Sequence, residues 1–375
     1  MFAKLLNIAL MSVGMSLHFI TGVNAQSLYS AYTYKELGTV PGGKESFATA
    51  INNAGQVAGF SYVEGNRHAT LWNGTTATDL GLLAGSGTQS EAWAINEQGK
   101  VAGFTILEGN TQAATWNGTT VTWLDAPTGS DANYALGIND NGQAAGWSST
   151  DDNTEAIIWS GTMATRLGTP HGDSGIAYAI NNEGKVAGRS IFTGSLTPRA
   201  TVWNNTSSTP TDLGALPEGA TSVAFAINDH GQVAGRSSFL PGSFDYHATV
   251  WNGTVPTDLG TLGGDSSEAT AINNAGVVAG WSDTDDGATS ATLWTGATVI
   301  DLNTFLDSDT VNDGWVLVEA SGINDQGWIV GDAYNISTQQ THAFLLTPVP
   351  EPETYAMLLF GLGLMGMVVR RKKIA

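Results

Sequence analysis

The sequence predicts an all-β fold, a seven-bladed β-propeller of four-stranded blades whose last blade is closed by the N-terminal strand. Three observations predict it. One unit recurs seven times, each copy reads as four short strands, and the two ends of the repeat region are complementary parts of one sheet.

The recurring unit centres on Ala/Gly-Ile-Asn, with its asparagine at Asn52, Asn96, Asn139, Asn181, Asn228, Asn273 and Asn324. A repeat of this length, a little over forty residues, is the size of one propeller blade. In the first copy, Ala48-Thr49-Ala50-Ile51 reads as a strand, and Asn52 to Gly55 as a turn into "QVAGFS". The glycine supplies the positive φ of a bulged hairpin. "HATLW" and "TATDL" form the third and fourth strands, joined by a turn beginning Asn73-Gly74. The third strand ends in Trp72, Trp116, Trp159, Trp203, Trp251 and Trp294, with Leu346 in the seventh copy.

Closure follows from the ends. A fourth-strand segment, Tyr34-Lys35-Glu36-Leu37-Gly38, precedes the first Ala-Ile-Asn, and the seventh copy stops after its third strand, "HAFLLTP". Pairing the two completes the seventh blade and removes exposed sheet edges. The residue four before each asparagine is alanine in all seven copies, and the residue two before is alanine or glycine. A period of two puts them on one face, where small side chains let innermost strands crowd around an axis.

The domain boundaries are 1–25, 26–348 and 349–375. Met1 to Ala25 carries Lys4, an apolar stretch and then Val23-Asn24-Ala25 before Gln26, the pattern of a secretory signal cleaved between Ala25 and Gln26. At the other end, Val349-Pro350-Glu351-Pro352 precedes an uncharged run from Thr354 to Val369 and a basic cluster, Arg370, Arg371, Lys372 and Lys373. That run reaches roughly 24 Å as a helix, short of the ~30 Å hydrocarbon core. As a permanent membrane anchor it is marginal, and the four terminal charges keep its end in the cytoplasm.

The tail resembles the PEP-CTERM sorting signal of Gram-negative bacteria, with its Pro-Glu-Pro triplet, short apolar span and Arg/Lys end. The resemblance implies recognition by an exosortase-type sorting protease, cutting near the triplet, transient anchoring in the inner membrane and delivery to the cell surface or outside, alongside exopolysaccharide production. The repeat, Ala-Ile-Asn-x-x-Gly-x-Val-Ala-Gly followed by His-Ala and Asp-Leu-Gly, resembles the HAF repeat of exported bacterial proteins. The His-Ala pair stands only at His68, His247 and His342, and that resemblance implies no activity.

Composition narrows the function. The chain has no cysteine, so an exported protein must hold together through its core. The segment 26–350 carries 9 Lys/Arg against 32 Asp/Glu, 9 − 32 = −23. Such a surface repels nucleic acid. Most of these carboxylates fall on the variable connections, those between second and third strands and between blades. This face is the better binding candidate. Its acidic rim is expected to bind divalent cations such as calcium weakly and, through them, to bridge to anionic exopolysaccharide. No other cofactor is implied.

Candidates for chemistry are few. Recurrence in every blade assigns the seven asparagines to turn capping. The three histidines lie in blades one, five and seven, too dispersed for one metal ion. There is no Gly-x-Ser-x-Gly and no phosphate-binding glycine loop. "DTDDG" at 283–287 lacks the spacing of a calcium loop. The expectation is therefore a non-enzymatic surface or matrix protein. The alternative is a glycan-acting enzyme with carboxyls at the channel mouth, Asp173, Asp265 and Glu268. The irregular copy at 305–320 is the first place to seek an exception.

Overall fold

The computed structural model describes residues 31–349, except 82–88, 151–152, 170–173, 193–196, 205–209 and 241–244. The secretory segment with Ala25 and Gln26, the tail from Pro350 through Lys373, and Asp173 lie outside the described residues. The chain divides into two compact units, Tyr34–Thr347 and the flanks Met1–Thr33 with Pro348–Ala375. In the flanking unit the amide of Val349 donates to the carbonyl of Ala31 at 3.0 Å.

The larger unit is a seven-bladed propeller of four-stranded antiparallel sheets. The first blade comprises Gly43–Ile51, Gln56–Val63, Asn66–Asn73 and Thr76–Asp79. The seventh takes Trp315–Ile323, Ile329–Asn335 and Gln340–Pro348 from the end of the chain and Tyr32–Glu36 from its beginning. Leu37 extends this closure: its amide donates to the carbonyl of Ala343 at 2.9 Å, and its side chain is buried. Sheet closure by the N-terminal strand is thus observed as the sequence requires.

Each asparagine of the repeat does two jobs. Its Oδ1 accepts the amide four residues on, as in Gln56 to Asn52 at 2.9 Å, while the turn glycine Gly55 sits at φ +75°. Its Nδ2 donates to the backbone carbonyl of the corresponding asparagine in the next blade. These contacts run from Asn52 through Asn96, Asn139, Asn181, Asn228, Asn273 and Asn324 back to Asn52, at 3.0–3.1 Å. Turn capping is therefore only half of the asparagine's role; the other half is a closed ring joining all seven blades. Buried asparagines satisfied on both sides are costly to remove. Asn139→Ala deletes the bonds to Gln143 and Asn181. It is expected to cost about 1–3 kcal/mol for each buried group left unpaired, read from urea unfolding.

A second closed ring lies just outside the first. The residue after each asparagine presents a side-chain oxygen to the backbone amide of its counterpart in the preceding blade. The series is Asn53, Glu97, Asp140, Asn182, Asp229, Asn274 and Asp325, returning to Asn53. Amides alternate with acids through most of the ring and donate to them, as Asn182 does to Asp140 at 2.8 Å. Among these acids, burial pushes the Glu97 carboxyl above its ordinary value; the Asn53 amide opposes this, and repulsion from Asp140, Asp325 and Asp229 adds to it. These turn acids are fastenings between blades.

The innermost strands depart from the expected geometry in one respect. Each contains a β-bulge between the residues four and two before the asparagine, as at Ala48/Ala50. The extra residue sends those two positions to different surroundings instead of one face. The first, exemplified by Ala92, is fully buried between blades. The second approaches the neighbouring innermost strand: a Cβ on Gly137 would meet the Cα of Ala179 at 3.0 Å. The bulge also explains the second motif glycine. It lays a carbonyl over that residue, so a Cβ on Gly59 would meet the Phe47 oxygen at 2.0 Å.

Blade packing is apolar farther out. Trp72, Trp116, Trp159, Trp203, Trp251 and Trp294 are buried, each within a core shared by consecutive blades, as Trp116 is with Ala58, Ala69 and Leu80. The core that spans the closure joins Leu37, Ala343 and Leu345 to Ala48, Val57 and Trp72. Burial of such side chains supplies about 1.5–3 kcal/mol each.

Candidate functional site

Seven innermost strands enclose an axial channel that differs at its two ends. At the Asn-turn end a shallow space of about 170 Å³ is ringed by Asn53, Glu97, Asp140, Asn182 and their counterparts. Beneath it lies a collar of seven isoleucines, one before each asparagine. The middle of the channel is a narrow space of about 200 Å³. The opposite end widens into a cavity of about 540 Å³, on the face of the variable connections. That volume lies within the ~300–1,000 Å³ typical of small-molecule sites.

Two positions of the repeat face each other across the first two strands at this mouth, five residues before and eight after the asparagine. The pairs are Phe47/Phe60, Glu91/Phe104, Tyr134/Trp147, Ile176/Arg189, Val223/Arg236, Glu268/Trp281 and Glu319/Asp332. Here the repeat stops repeating. The position three before the asparagine varies too: Trp93, Leu136, Tyr178 and Phe225 in blades two to five, but Thr270, Ser321 and Thr49 in blades six, seven and one. The hydroxyls of Thr49, Thr270 and Ser321 donate to the next blade's backbone carbonyl, so these side chains lie down and leave space.

The cavity lining is consequently uneven around the ring, aromatic in some blades and acidic in others. Phe47 stacks on Phe60 with ring centroids 5.0 Å apart, and Tyr178 meets Phe225 edge-on at 5.1 Å. Trp93 is 40% exposed, yet its Nε1 donates to Glu91 at 3.0 Å, which fixes the orientation of the ring. Between these aromatic blades, in blades six and seven, stand Glu268, Glu319 and Asp332. Glu91 is paired with Arg67, and Glu268 with Arg236 at 2.5 Å. Arg236 in turn lies over Tyr246, 4.6 Å from the ring centre. Asp332 accepts the Ala48 amide at 3.2 Å.

Burial sets the acidity here. It is the main cause raising Glu268, with Arg236 opposing it. Burial also raises Glu319, reinforced by the charge of Glu268. Asp332 is raised well above the usual carboxylate range by burial and by Glu319, against the Ala48 hydrogen bond. Desolvation disfavours the charged form, and like charges add to it.

Of the two described carboxyls named from sequence, Glu268 lines the cavity. Asp265 lies on the same strand, Gly263–Ile272, outside the cavity lining. The irregular copy at 305–320 does contain an exception: Glu319 lines the cavity, preceded by a helical turn at Ser308–Asn312. Sequence reasoning missed Asp332 and the Glu319/Asp332 pairing. Aligning the seven copies on their asparagines would have found them, since Asp332 stands where the other blades carry Phe, Trp or Arg.

The histidines serve the sheets. His68 Nδ1 lies 2.9 Å from Asp79, His247 Nδ1 2.8 Å from Asp258, and His342 pairs with Glu36 across the closure. Among the described residues, no group of three or more His, Asp or Glu is placed to hold a metal ion. In the 283–287 loop, Asp286 accepts the Thr284 hydroxyl and the Ala288 amide, a local turn.

The fold and this site define a seven-bladed β-propeller with an aromatic and acidic cavity at one channel mouth. Residues 348–373 match the PEP-CTERM protein-sorting motif, which marks an exported chain recognised by exosortase-type machinery. Among the described residues no helix is long and apolar enough to cross a membrane. No curated protein matches the chain. Among solved structures it is similar to a streptogramin B lyase, with 12% identity and a TM-score of 0.54, over 86% of this chain and 99% of that one. It is similar to an oligogalacturonate lyase from Vibrio parahaemolyticus, with 9% identity and a TM-score of 0.50, over 86% and 98%. TolB from Acinetobacter baumannii gives 12% identity and a TM-score of 0.44, over 82% of this chain, which spans 64% of the length of TolB. At such identities the likeness is one of fold.

Proposed function

We propose that this is a non-enzymatic, exported polysaccharide-binding protein of the cell surface or extracellular matrix. The tail delivers it and is removed near Val349–Pro352 after transient residence at the inner membrane. The repeat is of the HAF type and supplies the scaffold. One observation carries the reading: a small-molecule-sized cavity lined by aromatic rings in some blades and by carboxyls in others, opening on the variable face. Aromatic rings offer flat apolar surface to the faces of sugar rings, and carboxylates accept from hydroxyls. The carboxyls Glu91 and Glu268 are held by arginines, and Asp332 by a backbone amide, which suits binding better than proton transfer.

Two routes to polysaccharide are separable. Direct recognition occurs in the cavity; bridging of anionic chains through calcium or another divalent ion uses the exposed acidic loops. The test uses mature protein recovered from the cell surface, its C-terminus fixed by mass spectrometry, mixed with purified exopolysaccharide from the same cells. Co-sedimentation is expected with and without a chelator. Loss of binding on chelation alone would replace the cavity with the bridging route, and no binding in either condition would refute the reading. The enzymatic alternative is favoured by the burial that makes Glu268 and Glu319 hold their protons more tightly than free carboxyls. Shortened glycan products in the same mixture would establish it.

A further inference from the structure

Charge is not balanced across the cavity. Four carboxyls line it: Glu91, Glu268, Glu319 and Asp332. Arg67 is committed to Glu91, and Arg236 to Glu268. Glu319 and Asp332 sit directly opposite each other on neighbouring strands, and no described lysine, arginine or histidine forms an ion pair with either. The electrostatic neighbour of Glu319 is another carboxyl, Glu268, and that of Asp332 is Glu319. A carboxyl pair enclosed by protein, with space beside it and no basic partner among the described residues, is relieved either by keeping a proton or by a cation that enters and lets both ionise.

The space and the rings near it say what would enter. Beside the pair, the hydroxyls of Ser321 and Thr49 are turned onto backbone carbonyls, leaving room where blades two to five fill the same position with large side chains. Flanking the pair in the adjoining blade stand the stacked Phe47 and Phe60, with the exposed Trp93 one blade farther round. A ring with an ammonium on one side satisfies both kinds of lining: the charge meets carboxylates, and the ring lies on aromatic faces that also favour cations. A bare metal ion would leave the aromatic rings unused.

We propose that the cavity takes a saccharide bearing a free amine, its ammonium seated between Glu319 and Asp332 and its ring against the flanking aromatic residues. This rests on the reading of the cavity as a polysaccharide site and names its ligand class: a hexosamine unit with an unacetylated nitrogen. Acetylation removes the charge and adds bulk, so the acetylated sugar lacks the decisive contact.

The test is calorimetric titration of the mature protein with three probes: a glucosamine trimer, an N-acetylglucosamine trimer of the same linkage, and spermidine. The glucosamine trimer is expected to bind at least about tenfold tighter than its acetylated form, a difference of ~1.4 kcal/mol. Glu319→Gln and Asp332→Asn are each expected to remove that preference while thermal unfolding stays at or above the parent's midpoint. Equal affinity for both trimers, untouched by Glu319→Gln, would overturn the amine inference and leave polysaccharide binding intact. Spermidine binding with neither trimer bound would overturn the saccharide reading while retaining recognition of an amine. Silence with all three probes would overturn both.

Discussion

Deleting residues 26–38 is expected to abolish the folded monomer, although the described residues among them, 31–38, contribute no part of the cavity lining. The deletion removes the fourth strand of the seventh blade and the buried Leu37, and leaves Gln340–Pro348 as a bare edge. Leu37 alone, truncated to alanine, is expected to cost about 2–5 kcal/mol, a large share of the ~5–15 kcal/mol that holds a typical protein folded. The open edge also invites pairing with a second copy. Circular dichroism should show a broadened, lowered transition, and size exclusion should show oligomers. Moving residues 31–39 to follow Pro348 should restore a monomer. A deleted chain with an unchanged transition would show that the ring is held elsewhere.

The closure also carries a pH dependence. His342 titrates above its ordinary value, chiefly through its hydrogen bond to Glu36, with burial opposing and the Lys44 carbonyl and the charges of Glu36 and Glu45 helping. A histidine raised on folding contributes stability that is fully present below its unfolded value, near 6.5, and lost as pH rises through the folded one. Equilibrium unfolding of the intact protein should therefore lose this contribution as pH rises from about 6.5 through the folded value, and His342→Gln should flatten that part of the profile.

The second large effect belongs to the cavity, and its sign is opposite to that of an ordinary surface ion pair. Glu268, Glu319 and Asp332 all hold their protons more tightly than free carboxyls. The charges nearby are Glu91 with Arg67 and Arg236 with Glu268, and the phenol of Tyr178 also lines the space. A carboxyl raised on folding adds stability below its unfolded value, near 4, which is lost as pH rises through the folded value. At neutral pH the three carboxylates therefore oppose folding. Glu319→Gln is expected to stabilise the unliganded protein at pH 7. The gain should vanish on acidification, as read from denaturant midpoints at several pH values. A destabilised Glu319→Gln at pH 7 would mean that an unseen partner compensates its charge. A residue that weakens the fold and lines a cavity is the usual mark of a site kept for binding.

Much of the fold was legible because propeller blades repeat their local chemistry. The spacing of Asn52 to Asn324, the Asn-x-x-Gly turns and the incomplete seventh copy fix the blade count and the closure without any long-range knowledge. The inter-blade half of the asparagine's role was not legible, because a donor such as Nδ2 of Asn96 points to a carbonyl 43 residues away. Nor was the bulge, which moved Ala92 from an expected axial face into the packing between blades. Among the cavity's strand-borne acids Glu268 was legible, while Asp265 on the same strand lies outside the lining; Glu319 and Asp332 were not legible, because their departure from the repeat shows only when the copies are laid over one another.

By itself the sequence determined the seven-fold scaffold, the N-terminal closure and the sorting tail, since each is written in contiguous, local patterns. Only the tertiary structure decided which positions become a site. Ring closure carries seven non-repeating pairs to one channel mouth, and there the departures from the repeat, scattered over almost 300 residues, become neighbours whose burial and charge act on one another.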